Sequence, residues 1–98
     1  MKPFFIKTPV DVVASDGEYI ELRCRVGGDP LPKVTWRRSS GRIPLGRVII
    51  REDRGLRIEG VTAEDHGTYI CQAENIVGII EASAQITVQC KLWFLATF

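Results

Sequence analysis

Apolar and polar residues alternate along this chain in short runs broken by turn residues, and no stretch keeps a helical period. That pattern predicts an all-β sandwich or barrel. The clearest strand is 18–26. Ile20, Leu22, Cys24 and Val26 fall on one face; Glu21, Arg23 and Arg25 fall on the other. Such alternation suits a sheet with one wet face. Ahead of it, 4–7 and 10–14 read as a first edge strand interrupted at Pro9, which has no N–H to give a ladder. Ser15-Asp16-Gly17 turns the chain.

Beyond the loop 27–32, a strand over 34–37 points Val34 and Trp36 inward. The β-branched run 47–51 and the pair Leu56 and Ile58 read as two short strands, with Asp53-Arg54-Gly55 as the hairpin turn between them. A polar crossover follows over 61–67. The strand 68–74 carries Tyr69, Cys71 and Ala73 inward. After a turn at 75–78, the last strand, 80–88, turns Ile80, Ala82, Ala84, Ile86 and Val88 inward. About eight strands and no internal repeat are expected.

The length of 98 residues suits one domain, and a chain of that size buries well over half of its unfolded surface. Apolar residues at 45% and charged residues at 26% argue against disorder. The opening Met1-Lys2-Pro3-Phe4-Phe5 is too short and too soon charged to read as a signal peptide. The domain is expected over 1–89, and 90–98 forms an apolar tail, Cys90 to Phe98, of the kind that favours aggregation. Its apolar run, Leu92 to Ala96, is far below the roughly 20 residues of a spanning helix.

Three cysteines are present, Cys24, Cys71 and Cys90, so two can pair and one is left over. There is no C-x-x-C spacing, and His66 is the only histidine, which argues against zinc. Cofactors and small-molecule substrates are not expected. His66 lies in Glu64-Asp65-His66-Gly67, where a histidine beside carboxylates could do acid–base work given a nucleophile and a pocket. A polar histidine in a crossover loop is the more ordinary reading, so the chain is not expected to be an enzyme. Cys90 reads as a stray thiol or an intermolecular bridge.

Cys24 and Cys71, 47 positions apart, both fall inward. Trp36 lies 12 positions after Cys24, and the segment before Cys71 reads Asp65-x-Gly67-x-Tyr69-x-Cys71. Together with Gly28-Asp29-Pro30-x-Pro32-x-Val34-x-Trp36, Leu56-x-Ile58 and Ala73-Glu74-Asn75-x-x-Gly78, these residues resemble the I-set of immunoglobulin domains. The resemblance runs from Pro3 to Gln89. It implies an immunoglobulin-like antiparallel β-sandwich with a disulfide between Cys24 and Cys71 that ties the two sheets. Trp36 would cover the bridge. Tyr69 would bury its ring and bond its hydroxyl to nearby backbone. Gly67 would take a backbone angle a Cβ resists, and Leu56 and Asp65 would complete the structural set.

Three segments narrow the resemblance: Pro3-Phe4-Phe5-Ile6-Lys7-x-Pro9, Val34-x-Trp36-Arg37-Arg38 with Ile43-Pro44, and Glu81-Ala82-Ser83-Ala84. They are similar to an ectodomain repeat of roundabout axon-guidance receptors. That implies the extracellular part of a single-pass plasma-membrane receptor for Slit-type ligands. The outermost domains of that family hold the ligand, so this repeat would serve as a spacer or a receptor–receptor contact. Intracellular structural I-set modules of muscle filament proteins share the pattern, but their core cysteines usually stay reduced.

Charge is uneven. Residues 22–57 hold ten basic side chains against Asp29, Glu52 and Asp53, while the chain as a whole carries +1. Arg23, Arg25, Arg37, Arg38, Arg42, Arg47 and Arg51 are therefore candidates for binding a polyanion such as heparan sulfate. The competing reading is cross-strand pairing on solvated faces. Nucleic acid has no motif behind it: no aromatic platform and no helix for a groove. No Asn-x-Ser/Thr sequon is present.

Overall fold

A computed structural model describes residues 1–44, 46–50 and 55–89. The expected Asp53-Arg54 turn, the Arg51 end of its strand, Cys90 and the tail lie outside the described residues. Within them the chain forms β1 (Phe4–Lys7), β2 (Val12–Ser15), β3 (Ile20–Leu22), β4 (Arg25–Gly27), β5 (Lys33–Arg38), β6 (Val48–Ile50), β7 (Leu56–Ile58), β8 (Gly67–Asn75) and β9 (Gly78–Gln89). One helical turn, a 3-10 segment at Ala63–Asp65, sits in the expected crossover.

One layer is the sheet β2-β9-β8-β5; the other is β3-β7-β6, extended by the pair β1-β4. The long strand expected over 18–26 is broken at Arg23 and Cys24. The break falls where the chain exchanges neighbours: Ile20–Leu22 pairs with β7, and Arg25–Gly27 pairs with β1. The first edge strand likewise changes sheets. β1 pairs antiparallel with β4, and after Pro9 the chain crosses so that β2 runs parallel to β9, Val12 opposite Ile86. Every other pairing is antiparallel among the described strands.

The alternation places the core. Ile20, Leu22, Leu56, Ile58, Val61, Tyr69, Ala84 and Ile86 are buried together, and Trp36, Val48 and Val88 pack on them. Each fully buried aliphatic side chain contributes about 1.5–3 kcal/mol, so this cluster is the main term holding the layers together. Cys24 and Cys71 are joined by a disulfide, with Cα atoms 6.5 Å apart. Trp36 lies directly opposite Cys71 in the β5–β8 ladder, so both side chains leave the sheet on one face, toward the core.

Candidate recognition surface

The crossover is pinned from below by polar groups. Asp65 is buried, and its two carboxylate oxygens accept from Arg47, Oδ2 from Nη1 at 2.8 Å and Oδ1 from Nη2 at 3.0 Å. Oδ2 also accepts the Thr62 N–H at 2.9 Å, closing the first turn of the 3-10 segment. Burial pushes the Asp65 carboxyl up, but the Arg47 guanidinium and the Thr62 N–H outweigh it and hold the group below its ordinary value. The Tyr69 hydroxyl donates to the Asp65 carbonyl at 2.8 Å. Burial pushes that phenol up from its usual value.

Arg38 completes the cluster. Its Nη2 donates to the carbonyls of Glu64 and His66, and its guanidinium lies 5.6 Å from the Tyr69 ring centroid. Gly67 stands beside it with φ +145°, a region that side-chain-bearing residues avoid. The Asp65 carboxylate is engaged by Arg47 and Thr62, and no hydrogen bond joins it to His66 among the described residues. His66 is exposed, with its carbonyl bound to Arg38.

The described members of the arginine set singled out for polyanion binding lie on different faces, in keeping with their spread over several strands. Arg38 and Arg47 are spent inside the fold. Arg37 lies on the outer face of β5, where Nη1 donates to Glu81 at 2.7 Å and to Gln72 at 3.1 Å. Its bond to Glu81 raises the Arg37 pKa and lowers that of Glu81. Arg42 is exposed in the β5–β6 loop, and Arg51 lies outside the described residues. Arg23 and Arg25 remain together on the outer face of the other layer. There Arg25 stands opposite Lys7 of β1, both exposed, and Arg23 is exposed in the break between β3 and β4. Next along this face Arg57 lies 3.9 Å over the Tyr19 ring and pairs with Glu21 at 2.8 Å.

One pole gathers three chain segments that the sequence left unconnected. Asn75 Nδ2 donates to the carbonyls of Met1 and Pro30, at 3.0 and 2.9 Å. Its Oδ1 accepts the N–H groups of Val77 and Gly78. Around this knot Leu31 is 78% and Ile76 92% exposed, the most solvent-exposed apolar side chains described. Asn75 was legible as a turn residue only; nothing local in the sequence marks its reach of 74 positions to Met1.

The sequence model of the Immunoglobulin I-set domain family matches residues 3–88. Roundabout homolog 2 of Homo sapiens is 43% identical over 94 residues, which are 96% of this chain and 7% of that protein's length. Protein sax-3 of Caenorhabditis elegans is 45% identical over 90% of this chain and 7% of its own length. Among solved structures, Sidekick-1 immunoglobulin domains 1-5 superposes with a TM-score of 0.82 at 37% identity, covering 92% of this chain and 20% of that one. The chain thus spans a small fraction of the curated relatives it matches.

Proposed function

The chain belongs to the immunoglobulin I-set family, and from that premise we propose that it is a non-catalytic module of a cell-surface guidance or adhesion receptor. In this reading it lies outside the cell, in the ectodomain of a single-pass receptor. It serves protein–protein recognition or spacing there, and the full ectodomain engages a Slit-type ligand or another receptor domain. The observation that carries the reading is the Cys24–Cys71 bridge in a chain 43% identical to a roundabout receptor. A disulfide persists in oxidising compartments and is rare in the cytosol. Intracellular filament modules of the same fold usually keep their core cysteines reduced, so the redox state of Cys24 and Cys71 separates the two readings. The exposed Leu31 and Ile76 beside the Asn75 knot fit contact with a further protein surface.

Secretion tests the reading. Fused behind a signal sequence in cultured animal cells, the chain reaches the medium folded, and a Cys24→Ser/Cys71→Ser variant is retained. Equal export of both, with the wild-type thiols reduced, overturns it.

A second reading rests on Lys7, Arg23 and Arg25. The exposed pair Lys7 and Arg25 on one sheet face, with exposed Arg23 two positions from Arg25, suits a sulfated glycosaminoglycan such as heparan sulfate.

A further inference from the structure

Changing sheets between β1 and β2 leaves a seam open in the sandwich. Among the described strands, β2 is paired only with β9 and β3 only with β7, so each presents an outer edge with no strand against it. A strand paired on one side turns alternate N–H and C=O groups outward, ready for another chain. Here the two edges border one groove of about 600 Å³. Buried Ala14 and Ile20 form its floor, and Val13, 63% exposed, forms an apolar wall.

Acidic groups line the rim. Glu18, Glu21 and Glu59 all border the groove. Glu18 is fixed there by accepting the Ser15 N–H at 2.6 Å. Among the described residues, Arg57 is the cation bound to this rim. It is already shared between Glu21 at 2.8 Å, Glu59 at 3.7 Å and the Tyr19 ring. Three carboxylates against one committed guanidinium leave the rim negative, in contrast to the cations at Lys7, Arg23 and Arg25. Apolar floor, acidic rim and free backbone edges are the three features that strand addition uses: ladder bonds for affinity and alternate side chains for selection.

We propose that this seam is a docking site for an extended segment of another protein in which apolar and basic residues alternate. The apolar side chains turn toward Ala14 and Ile20, and the basic ones, on the opposite face with Val13, reach Glu18 and Glu59. The site does not depend on the receptor reading, because it uses only the seam.

The test titrates the isotope-labelled chain with two capped peptides, Lys-Val-Lys-Val-Lys-Val-Lys and its glutamate counterpart, and follows the backbone amides by NMR. The lysine peptide shifts the amides of Val12–Ser15 and Ile20–Leu22 and slows their hydrogen exchange; the glutamate peptide does neither. Glu59→Lys weakens binding at least about threefold, the scale of one exposed ion pair. Val13→Lys, which sets a cation on the groove wall, weakens it as well. Spectra of both variants without peptide keep the wild-type dispersion, so lost binding is not lost fold. Absence of shifts at millimolar peptide overturns the proposal. So do shifts scattered over carboxylates elsewhere, equal response to the glutamate peptide, or indifference to Glu59→Lys. The same amides shifting with protein concentration alone would replace it with self-association.

Discussion

Arg47 and Asp65, 18 positions apart, meet in a two-bonded ion pair that closes the crossover onto the β6 side of the sandwich. The carboxylate is 2% exposed while the arginine keeps 36% of its side-chain surface, so water screens part of the attraction. The pair organises rather than decorates. The Asp65 carbonyl receives the Tyr69 hydroxyl, and its carboxylate receives the Thr62 N–H.

Asp65→Asn is expected to lower the unfolding free energy by about 1–3 kcal/mol, the range for weakening a charge-assisted bond at a buried acceptor. Urea denaturation near neutral pH measures it. The pH dependence follows from the depressed Asp65 pKa. Its stabilisation is fully present above the ordinary aspartate pKa of roughly 3.9 and is lost as pH falls through the lower folded-state value. The gap between wild type and Asp65→Asn therefore narrows below about pH 4, while a constant gap down to pH 2 contradicts the assignment.

Tyr69→Phe removes one buried hydrogen bond and leaves the ring. The expected loss is about 1 kcal/mol, seen as a lower urea midpoint with an unchanged slope. The freed Asp65 carbonyl is the reason a loss is expected at all. An unchanged midpoint would mean water replaces the hydroxyl without cost.

Arg37→Ala and Glu81→Ala, singly or together, are expected to leave the urea midpoint where it is. Their bond is short but both groups are solvated, and exposed ion pairs of this type contribute little. On a heparin column the two layers separate. Arg25→Ala and Lys7→Ala lower the salt needed for elution if that face binds polyanion, whereas Arg37→Ala does not. Equal effects from all three would point to nonspecific charge.

The alternation of Ile20, Leu22, Leu56, Ile58, Tyr69, Cys71 and Ala84 made the core legible, because burial of one strand face imposes a period of two. The Cys24, Trp36 and Asp65-x-Gly67-x-Tyr69-x-Cys71 pattern made the family legible. Three things were not. One apparent strand over 18–26 serves two neighbours, since alternation reports a face and not a partner. The partners of the arginines were hidden too, because Arg38 and Arg47 answer carbonyls and a carboxylate brought near only by the crossover. Asn75 gathers the pole through Met1 and Pro30, a relation created by the sheet topology.

The account turns on the state of three thiols, and intact mass with and without alkylation, on unreduced protein from oxidising expression, reads it directly. The account predicts one alkylated cysteine, Cys90, and a Cys24–Cys71 bridge that peptide mapping recovers. Loss of that bridge on reduction should then cost about 4 kcal/mol of stability. Three alkylated cysteines under oxidising conditions would contradict the account and turn it toward an intracellular structural module.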